Sequence, residues 1–383
     1  MKILLVGNYF YPEHIGGIEI VTSNLAKYYR EDGHQVLWMA SDVPPRYRQV
    51  STDDLPIRSW NLTEEKFGFP QPIPLLNELP KLYRSVRWAD VVHIHDTLYL
   101  INMMVFFLCK LLRRPVLITQ HTEIIPYQSK WKRWLQEYAL RLIGVAMHTF
   151  ADQSVFISTN TRDNLSFITS HLDNPMVISN GVDADFYRPY EWEQRLQLRR
   201  EICEDPEKPL LLFVGRFVRI KGIQLLIPII EKHPEWHWLL VGRPDEYDPS
   251  AWNYTNVTFR PSLGMDGLRV AYGCADLTIH PSAVVGMSLT ISESMACGTP
   301  VLLSRDVLYD VPGDDLDNFI LVDLETDQIE AKISALLADR EKLASYSRKA
   351  RIYAETRSGW REIAHRYIGI LEDIVQRGGK SIF

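Results

Sequence analysis

Five residues in a row, Gly286-Met287-Ser288-Leu289-Thr290, open a segment that reads as a helix, with apolar Leu289, Ile291 and Met295. A helix starting there turns backbone N–H groups and the positive end of its dipole outward, which is the geometry that binds a phosphate. Glu293, one turn in, is an acid that can accept hydrogen bonds from a ribose diol. A second group of candidates is cationic. Arg216 and Lys221 stand five residues apart in Gly215-Arg-Phe-Val-Arg-Ile-Lys-Gly222, directly after an apolar run. Arginine grips phosphate oxygens in pairs, whereas lysine acts as a point charge. His121 follows the apolar run 115–120, and His95 with Asp96 ends the run 90–95. Each has an ordinary alternative: a capping glutamate, a solvated basic loop or a structural histidine.

These groups need elements to carry them. Residues 276–280 read as a buried strand stopped by Pro281, 288–296 as a helix ended by Cys-Gly-Thr-Pro, and 301–304 as the next strand. Strand, loop, helix and strand make half of a doubly wound sheet, which binds ligands beyond the carboxyl ends of its strands. The first half repeats the pattern: a strand over 2–7, the pair Gly16-Gly17, a helix over 18–31 and a strand over 33–40. A dinucleotide fingerprint, GxGxxG after the strand, is missing, which disfavours an NAD-dependent dehydrogenase. Strands follow at 90–95, 115–120, 152–157, 176–179, 210–214, 238–242, 257–259 and 318–322. Residues 41–80, with Pro70, Pro72 and Pro74, read as long loops with one or two short strands. Single helices are expected over 98–112, 131–148, 158–170 and 190–203, and a charged helix from 343 broken at Ser358-Gly359. The stretch 130–134 interleaves Lys130, Lys132 and Arg133 with Trp131 and Trp134. That mixture suits a membrane interface, or a solvated helix with one tryptophan turned inward.

The 383 residues suit two domains, and 46% hydrophobic with 23% charged residues is the balance of a globular protein with real cores. A net charge of −6 argues against a general nucleic-acid binder. The four cysteines, Cys109, Cys203, Cys274 and Cys297, form no metal or disulfide pattern and read as reduced thiols. The opening residues read as a strand and not as a signal peptide, and the longest apolar run is too short and too interrupted to span a bilayer.

The segment 281–301 resembles the C-terminal signature of the family-four retaining glycosyltransferases, which have the two-Rossmann GT-B architecture. Pro281-Ser282, Gly286, Leu289, Glu293 and the run Met295-Ala-Cys-Gly-Thr-Pro-Val301 stand as in that signature. Val285, Met287 and Ser288 replace the family's first Glu, its Phe and its second Gly. The string Val-Gly-Arg216-x4-Lys221-Gly, the Gly16-Gly17-x-Glu19 order and His121 also match. The resemblance covers nearly the whole chain. It implies an α/β fold of two parallel-sheet domains: 1–185 with a returning helix at 360–383 on the acceptor side, and 186–359 on the nucleotide-sugar side. It implies sugar transfer with retention from a nucleotide-diphosphate sugar, UDP favoured and GDP the alternative, with no metal or other cofactor. The acceptor would be a glycan, a lipid-linked or a small molecule, as in bacterial cell-surface polysaccharide or glycolipid synthesis. A cytoplasmic protein is expected, with peripheral contact to an anionic membrane if the acceptor is lipid-linked. By the same resemblance His121, Arg216 and Lys221 are catalytic. Gly17, Gly286, Met287, Ser288, Leu289, Thr290 and Glu293 join the two cations in holding the donor, and Gly16, Glu19 and His95 lie toward the acceptor. The rivals are another GT-B enzyme, such as a phosphorylase or epimerase, and a non-catalytic nucleotide-sugar binder.

Overall fold

The computed structural model describes residues 1–12, 16–43, 53–61, 71–124, 129–283, 288–308 and 313–378. The chain divides into two compact units, Met1–Asn180 with Trp360–Phe383, and Gly181–Gly359. The first unit is built on β1 (Lys2–Val6), β2 (Gln35–Ser41), β3 (Asp54–Ile57), β6 (Val91–His95), β7 (Val116–Gln120), β8 (Gln153–Phe156) and β9 (Met176–Val177), all parallel, in the order β3-β2-β1-β6-β7-β8-β9. Two short strands, β4 (Ser59–Trp60) and β5 (Ile73–Pro74), pair antiparallel outside it. The second unit holds β10 (Leu210–Val214), β11 (His237–Val241), β12 (Val257–Arg260), β13 (Leu277–His280), β14 (Val301–Ser304) and β15 (Ile320–Val322), again all parallel, in the order β12-β11-β10-β13-β14-β15. Each sheet winds outward from its first strand in one direction, then returns and winds in the other. The switch points therefore lie between β1 and β6, and between β10 and β13. Open parallel sheets present their ligand crevices there.

The strands read as unbroken apolar runs because both faces are covered. In β10, Leu210 and Leu212 enter one core with Ile291 and Met295, while Leu211 and Phe213 enter the opposite core with Ile223 and Ile229. In the first unit Leu4, Val92, Ile94 and Ile118 pack on Leu82, Val105 and Met147 from three separate helices. The helix Trp360–Arg377 buries Trp360, Ile363, Ala364, Tyr367, Ile368, Leu371 and Ile374, a single stripe at helical spacing. It packs on the helix Gly17–Glu31, with Arg361 over the Tyr28 ring at 5.1 Å and bonded to Asp32 at 3.1 Å. The last helix therefore belongs to the first unit, as a returning helix should.

Several elements differ from the sequence reading. Residues 79–88 form a helix, Leu79–Trp88, which that reading had not assigned; Pro80 sits in its first turn, where no N–H is needed. The helix expected over 131–148 is Lys130–Ala139, then a wide π turn Leu140–Gly144, then Val145–Phe150. The helix expected over 158–170 is two, Thr159–Asn164 and Ser166–Thr169, and the connecting helix shortens to Trp192–Arg199. Among the described residues no helix is long and apolar enough to cross a membrane, and all four cysteines are buried free thiols.

Candidate functional site

At the switch point of the first sheet, Gly16 is the extended N-cap of the helix Gly17–Glu31 and offers its first turn no side-chain bond. A Cβ built on Gly17 would meet nothing within 4 Å among the described residues, so their packing does not require a glycine there. Glu19, on the same turn, is buried. Across the switch point, β6 ends in His95 and Asp96. Asp96 adopts φ 66°, a left-handed backbone that Asp tolerates better than most residues. The turn is fixed from below by the Asn102 amide, which donates to the carbonyls of His95 (2.6 Å) and Asp96 (2.8 Å). It is fixed from above by the Asp96 carboxylate, which accepts from the backbone N–H groups of His121 (2.8 Å) and Thr122 (3.0 Å). Burial pushes the Asp96 carboxyl up to about 6; those N–H bonds work against the shift and the nearby charge of Glu19 adds to it.

His121 is thereby set at the carboxyl end of β7, half-buried, with His95 under it. His95 Nδ1 lies 2.8 Å from His121 Nε2. His95 was expected toward an acceptor; it is fully buried, because its strand is central, with its ring between those of His121 and His93. The column continues inward. The rings of His93 and His95 lie 4.3 Å apart, and His93 bonds Tyr29 Oη at 3.2 Å and Thr119 Oγ1 at 2.8 Å. Burial holds His121 and His93 down to about 3 and His95 well below its ordinary value, so all three rings are neutral at physiological pH.

In the second unit the loop after β10 carries Arg216 and Lys221. Gly222, at φ 79°, lets this loop lie on the loop after β13: a Cβ there would sit 1.9 Å from the Pro281 carbonyl oxygen. Ala283 N–H donates to Ile220 O at 3.1 Å across the same seam. Lys221 is half-buried, and its pKa is lowered by burial and by the charge of Arg216. His280, at the end of β13, is held down to about 3 by burial and by Lys221. Arg216 pairs with Asp245 on the neighbouring loop, with most of its own side chain exposed.

The helix Leu289–Ala296 begins after an extended Ser288 N-cap whose hydroxyl makes no capping bond. Gly286 and Met287, two of the five residues of the expected anion-binding stretch, lie outside the described residues, as does Val285. The helix ends as its sequence demands. Gly298 takes φ 74°, Gly298 N–H donates to Met295 O at 2.9 Å and Thr299 N–H to Ser294 O at 3.0 Å, the paired bonds of a glycine-ended helix. The Ser294 hydroxyl ties the helix to Thr278 of β13 at 2.7 Å. Leu289 and Thr290 are half-buried at the open end, while Glu293 is buried and bonded by the hydroxyls of Tyr272 and Tyr187. Burial lifts its carboxyl to about 7, with those two hydroxyls opposing the shift. The tyrosines were not foreseen: Tyr187 lies in a turn and Tyr272 on the core helix Met265–Cys274, both away from Glu293 in sequence, and a buried tyrosine in either setting carries no sign of such a role. Among the described residues, no group of three His, Cys, Asp or Glu is placed to hold a metal ion.

Residues 15–186 match Glycosyltransferase Family 4 and residues 194–353 match Glycosyl transferases group 1. Sulfoquinovosyl transferase SQD2 of Arabidopsis thaliana is 24% identical, over 91% of this chain and 69% of that protein. A D-inositol 3-phosphate glycosyltransferase of Xylanimonas cellulosilytica is 29% identical, over 77% of this chain and 74% of that one. The HepE protein of Anabaena, solved in complex with UDP-glucose, has the same fold, with a TM-score of 0.75 at 18% identity over 98% of this chain and 100% of that one. Two family matches in tandem, on two parallel sheets with a returning C-terminal helix, place this chain among the glycosyltransferases of GT-B fold.

Proposed function

We propose that this chain is a retaining glycosyltransferase that takes a sugar from a nucleotide-diphosphate sugar and needs no metal to do so. The observation that carries the reading is the pairing of Arg216 with Lys221 at the β10–β13 switch point, on a loop that Gly222 seats against the segment leading to the helix start at Leu289. Two cations close enough to depress one of them form a site whose charge an anion relieves. The Arg216–Asp245 pair is solvent-exposed, a class worth about 0–1 kcal/mol, so a diphosphate displaces it at small cost. As the glycosidic bond breaks, charge grows on the departing diphosphate. Arg216, Lys221 and the N–H groups of Ser288, Leu289 and Thr290 meet it where a divalent ion serves other phosphate chemistry.

In this reading Glu293, aimed by Tyr187 and Tyr272, takes the ribose. His121, neutral and held by His95, hydrogen-bonds the transferred sugar, and Gly17 leaves backbone open to the ligand. UDP is favoured as the nucleotide, in keeping with the HepE complex. The acceptor is a glycan, a small molecule or a lipid-linked sugar, met on the side of Gly16 and Glu19, and the enzyme works in the cytoplasm.

The test is a thermal-shift series with UDP, GDP and their sugars, in EDTA, on the wild type and on Lys221→Ala. Stabilisation by one nucleotide that persists in EDTA and falls at least tenfold in affinity in the variant supports the reading. No stabilisation by any nucleotide, or equal stabilisation of the variant, rejects it. Once an acceptor is found, an inverted anomeric configuration in the product rejects retention. Val285, in place of the family's sugar-contacting Glu, favours one second reading, a binder without turnover. That protein would show the thermal shift and no donor consumption with any acceptor.

A further inference from the structure

We propose that the helix Lys130–Ala139 and the wide turn after it dock this chain on an anionic lipid bilayer. None of the ten residues of that helix is buried, although it lies between β7 and β8 of a packed α/β unit. Trp131 is 53% exposed, Trp134 64%, Leu135 44%, Tyr138 51% and, on the turn, Leu142 55%. At about 100° per residue the four positions on the helix fall within an arc of about 100°, a continuous stripe along it. Leu140, on the opposite side of the wheel, is 1% exposed and supplies the seam to the protein. The stripe therefore points away from the unit, and the inward side is already satisfied.

The composition of this face selects its occupant. Trp134 and Tyr138 stack with centroids 5.4 Å apart, a flat aromatic pair with polar edges, the type of side chain that settles at a membrane–water boundary. Lys130 and Arg141 flank the stripe on one side and Lys132 on the other, with Arg133 beyond. The segment carries four cations against one carboxylate, Glu137, in a chain whose net charge is −6. A basic rim around an aromatic and leucine stripe is complementary to anionic headgroups over acyl chains; a second copy of this chain brings like charge to the rim. The π turn at Leu140–Gly144 carries the exposed Leu142 just beyond the stripe and leads into the helix Val145–Phe150.

The inference stands apart from the donor chemistry, and its assay needs neither donor nor acceptor. The intact chain is mixed with vesicles of phosphatidylcholine alone or with about one-third phosphatidylglycerol, and co-sedimentation is measured. The wild type is expected to bind the anionic vesicles at least about tenfold more tightly than the neutral ones, and to be released by high salt. The triple variant Trp131→Ser, Trp134→Ser, Tyr138→Ser is expected to lose about tenfold or more of that affinity. The same variant must keep the wild-type Tm and nucleotide-induced thermal shift, so that lost binding reports the surface and not the fold. Absence of vesicle binding, or equal binding by wild type and variant, overturns the proposal. So does self-association in sedimentation velocity that the triple variant abolishes, which assigns the face to a second copy.

Discussion

His95 lies beneath His121, its Nδ1 2.8 Å from His121 Nε2, the two rings stacked 5.0 Å apart. Both rings are neutral, so one nitrogen of this pair carries the shared proton. His95 Nε2 is buried with no hydrogen-bond partner among the described residues. An orphaned N–H is rarer in protein interiors than an under-satisfied acceptor, which places the proton on Nδ1. His95 then donates, and His121 keeps its own proton on Nδ1. His95→Asn retains a donor near that position and is expected to keep most of kcat. His95→Leu is expected to lower kcat/KM roughly 10- to 100-fold, the scale of one buried hydrogen bond behind the proposed sugar contact of His121. Steady-state kinetics on the two variants, each checked for Tm, would separate the roles; equal losses would make His95 a packing residue only.

Asp96 combines a left-handed backbone with two accepted N–H bonds. Asn satisfies both requirements and Ala neither. Asp96→Asn is expected to fold with a near-wild-type Tm. Asp96→Ala is expected to lose about 3 kcal/mol, from the φ penalty together with the two freed N–H groups. Chemical denaturation of both variants reads the difference, and a stable Ala variant would contradict the account of this turn.

Gly222 sits where the loops after β10 and β13 meet. A methyl group at its Cα would stand 1.9 Å from the Pro281 carbonyl oxygen, at a backbone φ of 79° that L side chains rarely adopt. Gly222→Ala must push the two loops apart. The expected cost is about 3 kcal/mol or more, with loss of the nucleotide-induced thermal shift. Retention of both would show that the seam does not position Lys221.

Glu293 makes stability depend on pH. Its folded pKa of about 7 lies above its ordinary value of 4.5. The buried carboxyl therefore contributes its full stability below pH 4.5 and loses it as pH rises through 7, to at most about 3 kcal/mol. Glu293→Gln removes the titration. It is expected to match the wild type near pH 4 and to exceed its Tm at pH 8.5, while weakening nucleotide binding if the ribose reading holds. Parallel Tm–pH curves for the two proteins would refute the buried, proton-holding carboxyl.

Much of this protein could be read from its residues in order. The continuous apolar strands are legible because both faces of a parallel sheet are buried, as Leu211 and Leu212 entering opposite cores illustrate. The end of the helix at Gly298 is legible because a left-handed residue is local chemistry, settled within a few positions of the chain. The same holds for the break at Ser358-Gly359 before the returning helix. The short helix after Pro80 and the π turn at Leu140–Gly144 were not legible, since the first looks like the proline-rich loop before it and the second keeps an ordinary helical pattern.

The relationships that give the sites their character required the third dimension. His95 meets His121 because β6 and β7 are neighbours in register; Tyr187 and Tyr272 meet Glu293 across a core; Gly222 meets Pro281 where two loops from adjacent strands touch. A sequence determines which chemistry each side chain can offer and the period on which it lies. Only folding removes water from around it and chooses its neighbours, and desolvation and neighbouring groups are what moved Glu293 and Asp96 up and His121 down.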